Sequence, residues 1–308
     1  MDEAALARFI DDHPRLVLLT GAGVSTDSGI PDYRDTRGEW KRPPPVTFQA
    51  FMGDEAVRRR YWARSMIGWR IMGQAEPGVA HRSLVALEEA GRVDLLITQN
   101  VDGLHQRAGS RAVVDLHGRI DTVRCMGCEA RSSRAVLQQS LLELNPRWAA
   151  LHANAAPDGD ADLDGLDFST FIVPDCPRCG GLLKPDVVFF GENVPRPRVD
   201  QALAAVRAAD ALLVIGSSLM VYSGFRFVQA AVDAGRPVAA LNQGRTRADA
   251  LFSLKVEQPI GPTLGAVLQA RNATRVGPAG AVPDEFVAAV AAEAARPDVA
   301  PDRARRAS

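Results

Sequence analysis

The sequence predicts an α/β protein: a Rossmann-like, doubly wound parallel sheet with a smaller zinc-binding and helical domain formed by insertions. Three observations predict it. Short apolar runs alternate with helical stretches along the chain, the pattern of strands buried on both faces by crossover helices. The apolar runs end in glycine or in clusters of short polar residues, as strands do where an open α/β sheet meets a ligand. Two stretches break the alternation, and one of them holds all four cysteines.

The bulk composition sets limits. The chain has 308 residues, 46% of them hydrophobic, with a formal net charge of −1. A sizeable core can form, and no global basic field favours nucleic acid. No run is long and apolar enough to span a membrane, and the opening MDEAALARFIDDHPR carries acids and lacks a signal-peptide apolar region. The expectation is a cytoplasmic protein with no membrane and no nucleic-acid partner.

The elements follow in order. Arg15–Thr20 (RLVLLT) is a β-type run that ends in Gly21-Ala22-Gly23, where a backbone can approach a ligand closely. The third glycine of a G-x-G-x-x-G is missing, so this turn alone is also compatible with a tight strand-to-helix connection. Ser25 and Thr26 follow, and the segment can open a helix whose N–H groups face a diphosphate, with Arg34 as a phosphate-facing cation. Residues 43–80 form the first interruption, rich in arginine and aromatics, with a helix through Arg58–Arg70. Val93–Thr98 (VDLLIT) reads as a buried strand leading into Gln99, Asn100 and Asp102. These polar groups suit a ribose or carboxamide, or, more plainly, cap the next helix. Asp115-Leu116-His117-Gly118 follows another short apolar run. Imidazole titrates near neutral pH, so His117 is a candidate general base, although a lone histidine is more often structural.

Residues 119–183 form the second interruption. Cys125-Met-Gly-Cys128 and Cys176-Pro-Arg-Cys179 are two C-x-x-C pairs, separated by residues 129–175. Two such turns complete a tetrahedral thiolate shell for one Zn²⁺ and leave no open position, which makes the metal structural. A thioredoxin-like dithiol and a nucleic-acid-binding ribbon are the competing readings. Asn154–Gly165 is polar and turn-rich and reads as a surface loop. Asp200–Ala208 is helical. Ala211–Ile215 (ALLVI) and Pro237–Leu241 (PVAAL) are buried strands, ending in Gly216-Ser217-Ser218 and Asn242-Gln243-Gly244. Each cluster is a weak signal alone, but five of them at strand ends of one sheet describe a binding site. The expected division is 1–42, 81–118 and 184–275 for the large domain, 43–80 and 119–183 for the small one, and 276–308 as a tail. In that tail Val282–Ala295 can be helical and Pro297–Ser308 is expected to be disordered.

The segments GAGVSTDSGIPDYR, TQNVDGLH, DLHG, the two C-x-x-C pairs, KPDVVFFGE, GSSL and LNQG stand in the order found in sirtuins, and the chain resembles that family from about Val17 to Leu264. The wording TQNVDGLHQRAGS, CMGC, LKPDVVFFGENVP and GSSLMVYSGFRF is similar to the class II branch. The APDGD loop resembles an insertion in a mitochondrial member of that branch, the lipoamidase and ADP-ribosyltransferase type.

The resemblance implies an NAD-dependent lysine deacylase acting on acyl-lysine proteins or peptides, with one structural Zn²⁺. Gly21, Ala22, Gly23, Thr26, Asp32, Tyr33 and Arg34 would form the loop over NAD, with Tyr33 where the family usually has Phe. Ile30 and Asp102 would hold the nicotinamide carboxamide, and Gln99 and Asn100 the adjacent ribose. His117, with Asn100 and Asp102, would be catalytic. The acyl oxygen would attack C1′ as nicotinamide leaves, and His117 would then act as base on a ribose hydroxyl. Gly216, Ser217 and Ser218 would serve the diphosphate and adenosine end. Asn242, Gln243 and Gly244 would serve the adenosine ribose, and Ile260 the adenine, where many members have Cys. Val188, Phe190, Gly191, Glu192 and Val221 would hold the substrate peptide as an added strand, with Val188 and Phe190 walling the acyl-lysine tunnel.

Tyr61 and Arg64 share a helix face. Sirtuins that prefer acidic acyl groups use a Tyr-x-x-Arg pair, but this pair stands about one helical turn early. The plainer reading puts Tyr61 in the core and Arg64 on the surface. The class II resemblance points to longer or branched acyl groups such as lipoyl, biotinyl or methylglutaryl. Protein mono-ADP-ribosylation and a noncatalytic NAD- or zinc-binding module are the alternatives.

Overall fold

The computed structural model describes residues 2–151 and 165–275. The polar loop from Asn154 to Asp164 and the expected tail helix Val282–Ala295 lie outside them. Nine strands are present among the described residues: β1 (Leu16–Thr20), β2 (Val93–Thr98), β3 (Val113–Asp115), β4 (Gly118–Cys125), β5 (Arg131–Ser133), β6 (Leu183–Val187), β7 (Ala211–Ile215), β8 (Val238–Leu241) and β9 (Leu254–Val256). The helices are α1 (Asp2–Asp12), α2 (Phe48–Gly53), α3 (Glu55–Met72), α4 (Val79–Glu89), α5 (Leu104–Ala108), α6 (Arg134–Leu144), α7 (Pro146–Ala149), α8 (Arg196–Ala208), α9 (Tyr222–Asp233) and α10 (Ile260–Arg275).

Six strands form one parallel sheet in the order β3-β2-β1-β7-β8-β9. The chain winds outward through β2 and β3, then returns past β1 to β7 and winds the other way. The switch point therefore lies between β1 and β7, the crevice where open α/β sheets bind ligands. Alternate residues of each strand feed two cores. Leu16, Leu18, Leu213 and Ile215 pack with α1, α4 and α10 on one face. Val17, Leu19, Leu212 and Val214 pack with α8 and α9 on the other. β1 and β7 are buried at every residue, which explains their unbroken apolar sequences. β8 begins one residue after the expected Pro237, which has no N–H for a ladder but whose carbonyl accepts from Leu212 N at 3.1 Å.

The smaller part is a three-stranded antiparallel sheet, β5-β4-β6, with α2, α3 and α6. α3 extends past the predicted Arg58–Arg70 at both ends, because Asp54 caps it by accepting from Ala56 N and Val57 N at 2.7 and 3.4 Å. Its inner face buries Trp62 and Met66 against Phe51 and Leu141, and the Trp62 indole donates to Leu183 O at 3.2 Å, tying the helix to β6. A fourth patch, with Ile30, Leu104, Ile120 and Met72, joins this part to the large sheet.

Candidate active site

The segment after β1 does not become an α-helix. Ala22–Ser28 forms a 3-10 helix, closed by Gly29 in the left-handed region at φ 81°. Thr26 Oγ1 bonds back to Gly23 O at 3.0 Å, a local bond that competes with regular helix. The turn is locked onto the neighbouring strand: Gly21 N donates to Ile215 O and Gly23 N to Gly216 O. A Cβ at Gly216, whose φ is 63°, would stand 2.6 Å from Val24 N. The two glycine turns at the switch point thus pack backbone to backbone, and together with the small side chains of Ala22, Ser217 and Ser218 they line a cavity of about 420 Å³.

That cavity gathers most of the predicted site. Gly21, Ala22, Gly23, Ile30, Asp32, Tyr33 and Arg34 line it from the β1 side, and Gln99, Asn100, Asp102 and His117 from the ends of β2 and β3. Gly216, Ser217, Ser218, Val221, Asn242 and Gln243 line it from β7 and β8, and Val188, Phe190, Gly191 and Glu192 from the segment after β6. Three predicted residues are not in its wall. Thr26 is turned to the 3-10 segment. Gly244, at φ 85°, presses on the Thr36 backbone, where a Cβ would meet O at 2.4 Å. Ile260 packs its Cδ1 against Gly216 from behind.

The polar groups at the floor form one network. Asn100 Nδ2 donates to Gly21 O at 3.1 Å and to Ser25 Oγ at 3.0 Å, and Ser25 Oγ donates to Asp102 Oδ2 at 2.7 Å. Asp102 also accepts from Leu104 N at 2.9 Å, so it caps α5 as well as facing the cavity. Behind Ser25 stands His81, buried, with Nδ1 accepting from Gly78 N at 3.2 Å and Nε2 lying 3.4 Å from Ser25 Oγ. Burial pulls His81 down to about 4 and, with His81 beside it, His105 well below the usual imidazole range. Both rings are therefore neutral at pH 7. Gln99 Nε2 donates to Ser217 Oγ at 2.7 Å, bridging the ends of β2 and β7.

His117 sits where the large sheet hands over to the small one. Gly118, at φ 82°, turns the chain from β3 into β4, and His117 O accepts from Val188 N at 2.8 Å. The imidazole is fixed at both nitrogens. Nδ1 is 2.9 Å from Gln99 O, and Nε2 is 2.8 Å from Ser223 Oγ. Burial holds it down to about 4; the Gln99 bond works against this, and Arg198 and Arg226 nearby add to it. The imidazole borders the open cavity yet is ringed by protein atoms, and at neutral pH it is an unprotonated base.

The far wall is apolar and aromatic. Val46, Tyr61, Ile120, Val187, Val188 and Phe189 line it. Tyr61 is both core and wall: it packs edge-on to Phe51 at 5.3 Å and tilted to Phe189 at 5.3 Å. Arg64, one turn further along α3, is not in the lining. Glu192 Oε2 is committed to the backbone, accepting from Phe189 N at 2.9 Å and pairing with the buried Lys184 ammonium at 3.0 Å. Burial nevertheless lowers Lys184 from its usual range. Of the Tyr61 and Arg64 pair weighed from its spacing, only Tyr61 reaches the cavity. Sequence reading gave little weight to Ser25, which lies inside a quoted motif, and missed His81 and Ser223, which carry no spacing signal.

The four cysteines come together at one end of β4 and β6. Their sulfurs lie within 4.8 Å of one another, with Cys125–Cys179 at 3.5 Å and Cys128–Cys176 at 3.8 Å. A tetrahedron with Zn–S bonds of about 2.3 Å has edges of about 3.8 Å, so the cluster fits one zinc ion. Gly127 N and Cys128 N donate to Cys125 Sγ, as the turns of a thiolate knuckle do. A side chain at Gly181 would crowd the cluster, since its Cβ would stand 3.0 Å from Cys125 Sγ and 3.2 Å from Cys179 Sγ.

A profile described as the Sir2 family matches residues 21–223, from the first glycine of the cavity to Ser223. The chain belongs to the Sir2 family. A protein of Xanthomonas campestris pv. campestris (strain 8004), named NAD-dependent protein deacetylase, is 64% identical to this sirtuin over 265 residues, 86% of this chain and 90% of its own. A protein of Bordetella bronchiseptica with the same name is 62% identical over 87% of this chain and 97% of its own. Among solved structures, a Sir2 complex with a p53 peptide and NAD⁺ aligns at a TM-score of 0.71 with 28% identity, covering 88% of this sirtuin and 99% of that chain. Sir2Tm bound to a propionylated peptide aligns at 0.68 with 29% identity, over 88% and 99%.

Proposed function

We propose that this sirtuin is an NAD-dependent protein-lysine deacylase that releases nicotinamide, free lysine and 2′-O-acyl-ADP-ribose, with His117 as its base. The observation that carries the reading is the neutral imidazole held by Gln99 O at the inner end of a cavity where nucleotide-type and apolar walls meet. NAD supplies an electrophilic C1′ and the hydroxyl that takes the acyl group. The chain's own residues do the rest. The backbone turns at Gly21–Gly23 and Gly216–Ser218 suit the diphosphate, because their glycines let a ligand approach the backbone closely without side chains in the way. Asp102 and Ile30, one polar and one apolar, suit a carboxamide ring. Asn100, tied to Gly21 and Ser25, orients the floor.

The peptide is read as an added strand between Val188–Glu192 and the stretch before α9. The isolated parallel bridge between Thr47 and Phe190 supports this, since the segment is already extended. The class II-like reading, with longer or branched acyl groups, is supported by the apolar character of a wall of Val46, Tyr61, Ile120 and Val187. Residues 1–42, 81–118 and 184–275 are assigned to the NAD-binding domain and 43–80 and 119–183 to the small one, in keeping with their separate cores. The cytoplasmic assignment is supported by the use of the four cysteines as a metal-binding cluster with no disulfide among them.

The test is mass spectrometry of acetyl, succinyl, methylglutaryl, lipoyl and long-chain acyl-lysine peptides, with and without NAD. NAD-dependent acyl loss with 2′-O-acyl-ADP-ribose formed, abolished in His117→Tyr, is the expected result. A target that gains the mass of ADP-ribose instead would replace deacylation with ADP-ribosyl transfer.

A further inference from the structure

The base has a second hydroxyl on it before any substrate arrives. Gln99 O can only accept, so His117 Nδ1 carries the ring proton and Nε2 carries the lone pair. Ser223 Oγ lies 2.8 Å from Nε2, so the serine is the donor in that bond. The hydroxyl is not there as a helix cap: the residue before α9 is Val221, and no side chain caps that end. Nor is it loosely placed. Ser223 is 9% exposed, in the first turn of a helix whose Phe227 and Val228 are fixed in the core. Ser223 also lines the cavity itself.

A serine hydroxyl has one proton and two lone pairs. With its proton on Nε2, Oγ keeps two acceptor sites. We propose that the base of this chain works through Ser223, which relays a proton from a hydroxyl of the bound dinucleotide to His117. The inference rests on the deacylase reading above. In the relay, the O–H bond of the dinucleotide hydroxyl breaks and its proton passes to Ser223 Oγ. The Ser223 O–H bond breaks as its proton passes to Nε2. The serine is regenerated, the imidazole becomes imidazolium, and the dinucleotide oxygen is left with the electron pair it needs as a nucleophile. The low basicity imposed by burial keeps the imidazole neutral and ready to accept.

The experiment uses the full chain as wild type, Ser223→Ala, Ser223→Thr and His117→Ala. Exchange of labelled nicotinamide into NAD in the presence of an acetyl-lysine peptide reads the step before the base acts. Formation of 2′-O-acyl-ADP-ribose reads the steps after it. Ser223→Ala is expected to lower product formation about 10- to 100-fold, to leave exchange within about threefold, and to add nothing to the loss in His117→Ala. Ser223→Thr, which keeps the hydroxyl, is expected to restore most of the rate. Without NAD or peptide, imidazole ¹⁵N spectra should show the Nε2 signal of His117 displaced in Ser223→Ala and restored in Ser223→Thr.

Product formed at the wild-type or a higher rate by Ser223→Ala would overturn the relay and make His117 a direct base. An equal fall in exchange and product would reduce Ser223 to shaping the cavity. Unchanged ¹⁵N spectra would remove the hydrogen bond on which the relay stands. If wild type gives neither exchange nor product, the deacylase reading fails and the relay falls with it, whereas wild-type activity with an unaffected alanine variant sinks the relay alone.

Discussion

At the scale of single residues, the site is organised by buried histidines kept neutral. His81 is fully buried and lowered to about 4 from 6.5, and His105 is lowered well below the usual imidazole range. The unfolded chain takes up protons near pH 6.5 that the folded chain refuses until much lower pH. Folding stability is therefore complete above about pH 6.5 and falls as pH drops toward 4. For His81 alone the loss at pH 5 is about 2 kcal/mol. Urea unfolding should show a clearly lower midpoint at pH 5 than at pH 7.5; equal midpoints would mean that the histidines are charged in the native state. His117, Asn100 and Asp102 were legible because they stand in short motifs at strand ends. Ser223 was not: it lies 106 residues from His117 and meets it only through folding. His81 was hidden for the same reason, appearing in the sequence as one more polar residue of an amphipathic helix.

At the scale of elements, the strands were the most readable part. β2 and β7 begin and end at the expected residues, because β7 is buried at every residue and β2 at every residue but Asp94, and such strands read as near-continuous apolar runs. The segment after β1 was less readable. Its serine, threonine and glycines fit a helix start, but back-bonding by Thr26 and the close approach of Gly216 select a 3-10 turn. The turn from β3 to β4 carries the sharpest constraint. A Cβ on Gly118 would stand 2.0 Å from Asp186 O, in a residue already at φ 82°. Gly118→Ala should therefore cost about 2 kcal/mol or more and displace the neighbouring His117. Thermal unfolding together with NAD-dependent acyl loss measures both; a variant with wild-type stability would show that β6 can move aside. The acyl wall was only half legible, since Tyr61 has to be core and wall at once, which a helical pattern cannot express.

At the scale of the whole molecule, the four-cysteine cluster, which fits one zinc ion, forms a knot that ties the small sheet together. Its own core is modest, and the loop 129–175 is closed by the cysteines. Native mass spectrometry should find one zinc per chain. Cys176→Ser should lose the metal and open residues 119–183 to protease, while the six-stranded sheet stays protected. Cleavage spread evenly over both parts would mean that the two fold as one unit. The C-x-x-C spacing made the knot visible in the sequence, but not its distance from the chemistry. β4 leaves Gly118 beside the base and arrives at Cys125 in the knot, and β6 returns from beside the knot to Val187, next to the residue that holds His117 O. The pair acts as a strut about 20 Å long, tied at one end to the four-cysteine cluster that would hold the zinc and bearing on the imidazole at the other. Slackening the clamp should tilt the bearing: metal-depleted protein that still binds NAD should turn over slowly, a mechanical fault transmitted from a place no substrate touches.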